Sequence, residues 1–157
     1  MFIYIKVLEY QNLLLSLNMQ TKGILIGGKA LNVLGSNRLT TDTDYLINNT
    51  ASTSPFIHDA ENNIDYINAN GNKFFAAIYK IEAGSQVASP QSILELKAYS
   101  FVQHCINHNW SKVNDAEFDM KFLVLKYNLT GIKIVNKFIS AGELSEVNKV
   151  ISSARKV

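Results

Sequence analysis

The stretch Ile26–Asn48, IGGKALNVLGSNRLTTDTDYLIN, limits the folds open to this chain more than any other. A glycine pair, Gly27–Gly28, directly follows the apolar run Gly23–Ile26. Two carboxylates, Asp42 and Asp44, separated by one residue, lead into the mostly apolar Tyr45–Ile47. The order reads as strand, tight glycine turn, helix, loop, strand. Strand side chains alternate faces, so Asp42 and Asp44 are expected on the same side. Neighbouring carboxylates repel, and a cation between them relieves the repulsion. Magnesium and other hard divalent ions take oxygen ligands and are often shared with substrate phosphates. A glycine turn opening a helix lets backbone N–H groups approach a phosphate.

The rest of the chain sets the frame around this stretch. A length of 157 residues fits one domain with a real core, and 47% hydrophobic against 18% charged residues fits a globular rather than a disordered chain. A net charge of +2 is too small to argue for nucleic acid by itself. The one cysteine, Cys105, excludes an internal disulfide framework. No apolar run approaches the ~20 residues of a membrane span. The N-terminus, MFIYIKVLEYQNLLLSLN, lacks the basic lead and cleavage site of a signal peptide. A cytoplasmic protein is the expectation.

Periodicity gives the elements. Ile3, Val7, Tyr10, Leu14 and Leu17 predict an amphipathic helix over Ile3–Leu17. The helix opened by Gly28 turns Ala30, Leu31 and Leu34 inward and ends at Gly35; Ser36–Thr41 is loop. Asn48–Pro55 is a polar loop, with a short helix expected over Phe56–Asn62 and a strand over Asn63–Asn68 that carries Asp65. Asn70–Gly71 signals a hairpin turn, which makes Lys73–Glu82 a returning strand. Ser89–Pro90 starts a helix bearing Lys97 and His104, with Leu94, Ala98, Phe101 and Cys105 as its apolar face. A helix over Val113–Tyr127 is expected to bury Phe118, Phe122 and Leu125, and Ser140 with Glu143 has capping-box spacing before a helix over Leu144–Ala154. The expected fold is α/β (α+β): a small mixed sheet flanked by helices (residues 1–85) and a helical half (86–157) in one domain.

The candidate chemistry is a divalent-cation site built from Asp42, Asp44 and Asp65, two acids from one strand and one from its neighbour. Asp115 and Asp119, four apart on a helix, repel each other unless a cation such as Lys97 or Lys112 is near. His104 and His108 share helical spacing but lack a third ligand, and read as surface residues. Cys105 reads as a small buried hydrophobe, and Trp110 and Tyr99 as packing rather than base-stacking residues.

The pattern GGKALNVLGSNRLTTDTDYL is similar to the opening motif of the polymerase-beta-like nucleotidyltransferase superfamily, and within it resembles the AbiEii-like, toxin-type branch. Gly27, Gly28, Ala30, Gly35, Arg38, Thr40, Asp42 and Asp44 take the motif places in order. SPQSILELKAYSF is similar to the branch's lysine-bearing helix, and KVNDAEFDMKFL to the helix after it. The resemblance implies a nucleotidyltransferase that uses one or two Mg2+ ions to move an NMP from an NTP to a hydroxyl of an RNA 3′ end or a protein. It implies metal ligation by Asp42, Asp44 and Asp65, with Asp65 a ligand or the base for the acceptor hydroxyl. Nucleotide contacts fall to Gly27, Gly28, Lys29, Arg38, Thr40 and Lys97, with Lys112, Asp115 and Asp119 in support. Lys29 departs from the small or hydroxyl residue usual at its place. A toxin–antitoxin pairing with a protein partner is a further implication. The other function class open to this sequence is a catalytically inactive module on the same fold that binds a nucleotide or a protein.

Overall fold

The computed structural model describes Lys6 and residues 23–156, so the helix expected over Ile3–Leu17 lies, Lys6 apart, outside the described residues. Among the described residues four strands form one mixed sheet: β1 (Ile24–Ile26), β2 (Thr43–Ile47), β3 (Phe56–Asp59) and β4 (Ile64–Asn68). Their spatial order is β1-β2-β4-β3, with β2 and β4 parallel and both outer pairs antiparallel. The chain therefore leaves β2, makes the far edge as β3, and returns to set β4 beside β2. Residues 86–88 cover the other edge: Leu25 N donates to Gln86 O at 2.9 Å and Ala88 N to Leu25 O at 3.0 Å.

Five helices among the described residues flank the sheet: α1 (Gly27–Val33), α2 (Lys73–Glu82), α3 (Pro90–Ile106), α4 (Trp110–Tyr127) and α5 (Ala141–Ala154). This is the α+β fold with a helical C-terminal half that the periodicity predicts. One apolar core joins the two parts, running from Ile24, Ile26, Leu31 and Leu46 through Ile93, Leu94 and Met120 to Val147 and Ile151. Local signals hold where caps mark them. Ser89 accepts from Ser92 N before Pro90 at the first turn of α3, and Ser140 with Glu143 forms a full capping box on α5.

Five expectations are corrected. Lys73–Glu82 is a helix, not a strand: Asn72 caps it by accepting from Phe74 N and Phe75 N, and Phe74, Phe75 and Ile78 form a buried helical face. Asn70–Gly71 lies in a short 3-10 turn, Ala69–Gly71, that feeds this cap rather than in a hairpin. The expected helix Phe56–Asn62 is instead the edge strand β3 and a turn, with alternating exposure along Phe56–Asp59. In α4 the phase differs: Val113, Ala116, Met120, Leu123 and Val124 face the core, Phe118 and Leu125 are exposed, and Phe122 is half-buried. His108 lies beyond α3 with φ 54°, so it shares no helix face with His104. Among the described residues no helix is long and apolar enough to cross a membrane.

Candidate active site

The sheet register brings the carboxylates together. Asp44 is paired with Ile26 on one side and with Asp65 on the other. Residues paired across neighbouring strands project to the same face, with backbones about 4.8 Å apart. Asp44 and Asp65 thus stand side by side. Asp42 precedes β2 rather than lying in it; its Oδ1 accepts from Thr41 Oγ1 and Asn63 Nδ2, each at 3.3 Å.

The glycine pair makes room for this arrangement. Ile26 is paired with Asp44, so Gly27 falls against the Asp44 carboxylate. A methyl group at Gly27 would stand 2.1 Å from Asp44 Oδ2 and 2.9 Å from Cγ, and φ of 68° puts this residue in the left-handed region that favours glycine. A methyl group at Gly28 would stand 2.5 Å from Thr40 Oγ1. Gly27 therefore accommodates the second acid of the pair and Gly28 the threonine of the loop before it, which ties the two halves of the motif physically.

Asp42, Asp44 and Asp65 line one cleft of about 810 Å³, together with Gly28, Arg38, Thr40, His58, Lys97, Ser100, His104, Lys112 and Asp115. Lys97, Ser100 and His104 form one face of α3 at helical spacing, and Lys112 and Asp115 come from α4. Acidic groups of the sheet thus share the cleft with cationic groups of α3, α4 and the loop before β2. Burial pushes the Asp44 carboxyl up, and the charges of Asp65 and Asp42 push it further against the pull of Lys97 and Lys112. Burial, then the ammonium groups of Lys112 and Lys97, hold the His104 imidazole below its ordinary value, opposed by Asp115.

Beneath this wall sits Asp119, on the core side of α4 and 1% exposed. Its Oδ1 lies 2.9 Å from Arg38 Nε and its Oδ2 3.0 Å from Lys97 Nζ. Both contacts are close ion pairs without aligned hydrogen-bond geometry. Asp119 thereby fixes two cleft cations from separate segments of the chain.

The donor set suits magnesium. Its oxygens are hard, and a cation relieves the repulsion by Asp65 and Asp42 that adds to burial in raising the Asp44 carboxyl. Among the described residues no three His, Cys, Asp or Glu side chains are gathered into a ready-made metal site. Magnesium commonly takes one or two carboxylates and completes its shell with water and substrate phosphates.

The residues singled out in the sequence are distributed as follows. Asp42, Asp44, Asp65, Gly28, Arg38, Thr40, Lys97, Lys112 and Asp115 meet at the cleft. Gly27 lies against Asp44, and Asp119 lies beneath, holding Arg38 and Lys97. Lys29 does not join them: its Nζ donates to Thr43 Oγ1 at 2.7 Å, and Thr43 alternates with Asp44 onto the other face of the sheet. Sequence reasoning missed His58 and placed His104 on the surface. The spacing from Lys97 to His104, two helical turns, carries the signal for the latter; His58 carries none until β3 is recognised as a strand. Comparison of the chain with protein-family models, with curated proteins and with solved structures gives no match.

Proposed function

We propose that this cleft binds a nucleoside triphosphate with magnesium and transfers its nucleoside monophosphate to a hydroxyl acceptor, in the manner of the AbiEii-like nucleotidyltransferases that the chain resembles. The observation that carries the reading is the in-register pair Asp44 and Asp65, which faces the same cleft as Asp42, Arg38, Lys97 and Lys112. In this reading Asp42 and Asp44 hold the cation, and Asp65 completes the site or receives the proton of the acceptor hydroxyl. The bound cation supplies neutralisation of phosphate charge and activation of the hydroxyl. Lys97, Lys112 and Arg38 steady the triphosphate and offset charge as the acceptor oxygen bonds to the α-phosphorus and pyrophosphate leaves. The Gly27–Gly28 turn brings main chain close to the phosphates. The acceptor is an RNA 3′ end or a protein hydroxyl, the setting cytoplasmic, and an antitoxin protein the natural partner of such an enzyme.

The test is incubation of the full chain with each α-labelled NTP, magnesium, and cellular RNA or protein. Magnesium-dependent pyrophosphate release and label transfer, both lost in the double variant Asp42→Asn, Asp44→Asn, support the reading. Magnesium-dependent NTP binding without release or transfer supports instead an inactive binding module on the same fold.

A further inference from the structure

The third carboxylate differs from the other two in having an imidazole partner. Strand β3 runs antiparallel to β4 with His58 opposite Asp65, and His58 Nδ1 lies 2.5 Å from Asp65 Oδ1. Toward an ionised carboxylate, which only accepts hydrogen bonds, Nδ1–H is the donor of this contact. The bond engages Oδ1 of Asp65. Asp44 is positioned by packing against Gly27, and Asp42 Oδ1 accepts two long hydrogen bonds among the described residues. The Asp65 side chain is 48% exposed, and a carboxylate that is not held in place loses rotamer freedom when it binds a cation.

We infer that His58 is a positioning residue that orients Asp65 for cation binding without itself contacting the cation. The inference rests on the metal-site reading of the three carboxylates and adds to it a residue from outside the acidic motif. Groups that hydrogen-bond a metal's carboxylate or imidazole ligands typically set metal affinity by about 10–100-fold. His58 is suited to such a role because β3 is the edge strand. There, a residue is added to the site by one register position and its replacement leaves the core intact.

The test uses the full chain and Mn2+ alone as the probe, read by the loss of the free-ion paramagnetic resonance signal, in wild type and in His58→Ala, His58→Asn, His58→Gln and Asp65→Asn. The asparagine amide nitrogen is bonded to the γ carbon, as Nδ1 of histidine is, and it preserves the donor. Glutamine places its nitrogen one bond further out. His58→Ala and His58→Gln are expected to weaken Mn2+ binding by about 10–100-fold, and His58→Asn to restore most of it. Asp65→Asn is expected to lose at least as much as His58→Ala, and adding His58→Ala to Asp65→Asn to cost nothing more. If Asp65→Asn loses Mn2+ while His58→Ala binds as wild type, or if His58→Asn is as weak as His58→Ala, the role of His58 is overturned and the metal site stands. If wild type binds no Mn2+, or Asp65→Asn binds as wild type, the metal-site reading falls and takes this inference with it.

Discussion

Replacing Asp119 by asparagine removes one buried charge while keeping the shape of the side chain. Asp119 is 1% exposed and is paired with Arg38 at 2.9 Å and Lys97 at 3.0 Å. Removing one member of a buried ion pair generally costs about 3–5 kcal/mol, mostly because the charge left behind is uncompensated. Here the groups left behind are two cations whose side chains are 26% and 17% exposed. Both recover part of their hydration by turning toward the cleft, which lowers the expected cost to about 2–3 kcal/mol. In a chain of this size each kcal/mol moves Tm by about 2–4 °C, so Asp119→Asn should melt roughly 4–12 °C below wild type. Thermal unfolding by circular dichroism reads this directly. A double-mutant cycle with Lys97→Met should give a coupling energy of at least about 1 kcal/mol, since the two side chains share one interaction. A Tm drop under about 2 °C, or additive effects of the two substitutions, would refute the view that Asp119 is the tie beneath the cleft.

Gly27→Ala places a left-handed residue and a methyl group against Asp44. About 1–2 kcal/mol of backbone strain plus about 1 kcal/mol for displacing the Asp44 rotamer should lower denaturant stability by about 2–3 kcal/mol, and an unchanged urea midpoint contradicts this packing. The Asp44 carboxyl is raised in the folded chain by burial and by Asp65, so between the unfolded and folded values the folded state holds the extra proton and stability falls as pH rises. In chelator, Asp44→Asn should therefore melt above wild type at neutral pH, with the difference vanishing once both states are protonated, below about pH 3.9; a lower Tm for Asp44→Asn at neutral pH sinks this claim. Glu95, fully buried on α3, accepts from the backbone N–H groups of Lys133, Ile134 and Val135. Glu95→Ala should cost about 2–4 kcal/mol and expose the 130–137 segment to amide hydrogen exchange; unaltered exchange there contradicts it.

Much of the fold was legible because short-range signals agreed with long-range packing. The glycine pair, the acidic pair and the strand acid Asp65 each mark a local conformation, and the sheet register then places them at one cleft. Serine caps did the same for α3 and α5. The failures occurred where local chemistry had two readings. Asn70–Gly71 favours a hairpin, and KFFAAIYKIE is rich in residues that suit strands, yet Asn72 caps a helix there and the buried face of α2 outweighs intrinsic preference. In α4, apolar residues lie on every side, and the core-facing place of Asp119 depends on Arg38 and Lys97, which come from distant parts of the chain. His58 is hidden for a related reason: its place beside Asp65 follows from strand pairing, and the sequence pattern predicts a helix over that strand.

The most direct test of the central claim is calorimetric binding of an NTP with and without magnesium, in wild type and in the double variant Asp42→Asn, Asp44→Asn. The nucleotidyltransferase reading expects heat of binding that requires magnesium and disappears in the variant. Binding that is absent from wild type under both conditions, or that persists unchanged in the variant, contradicts it.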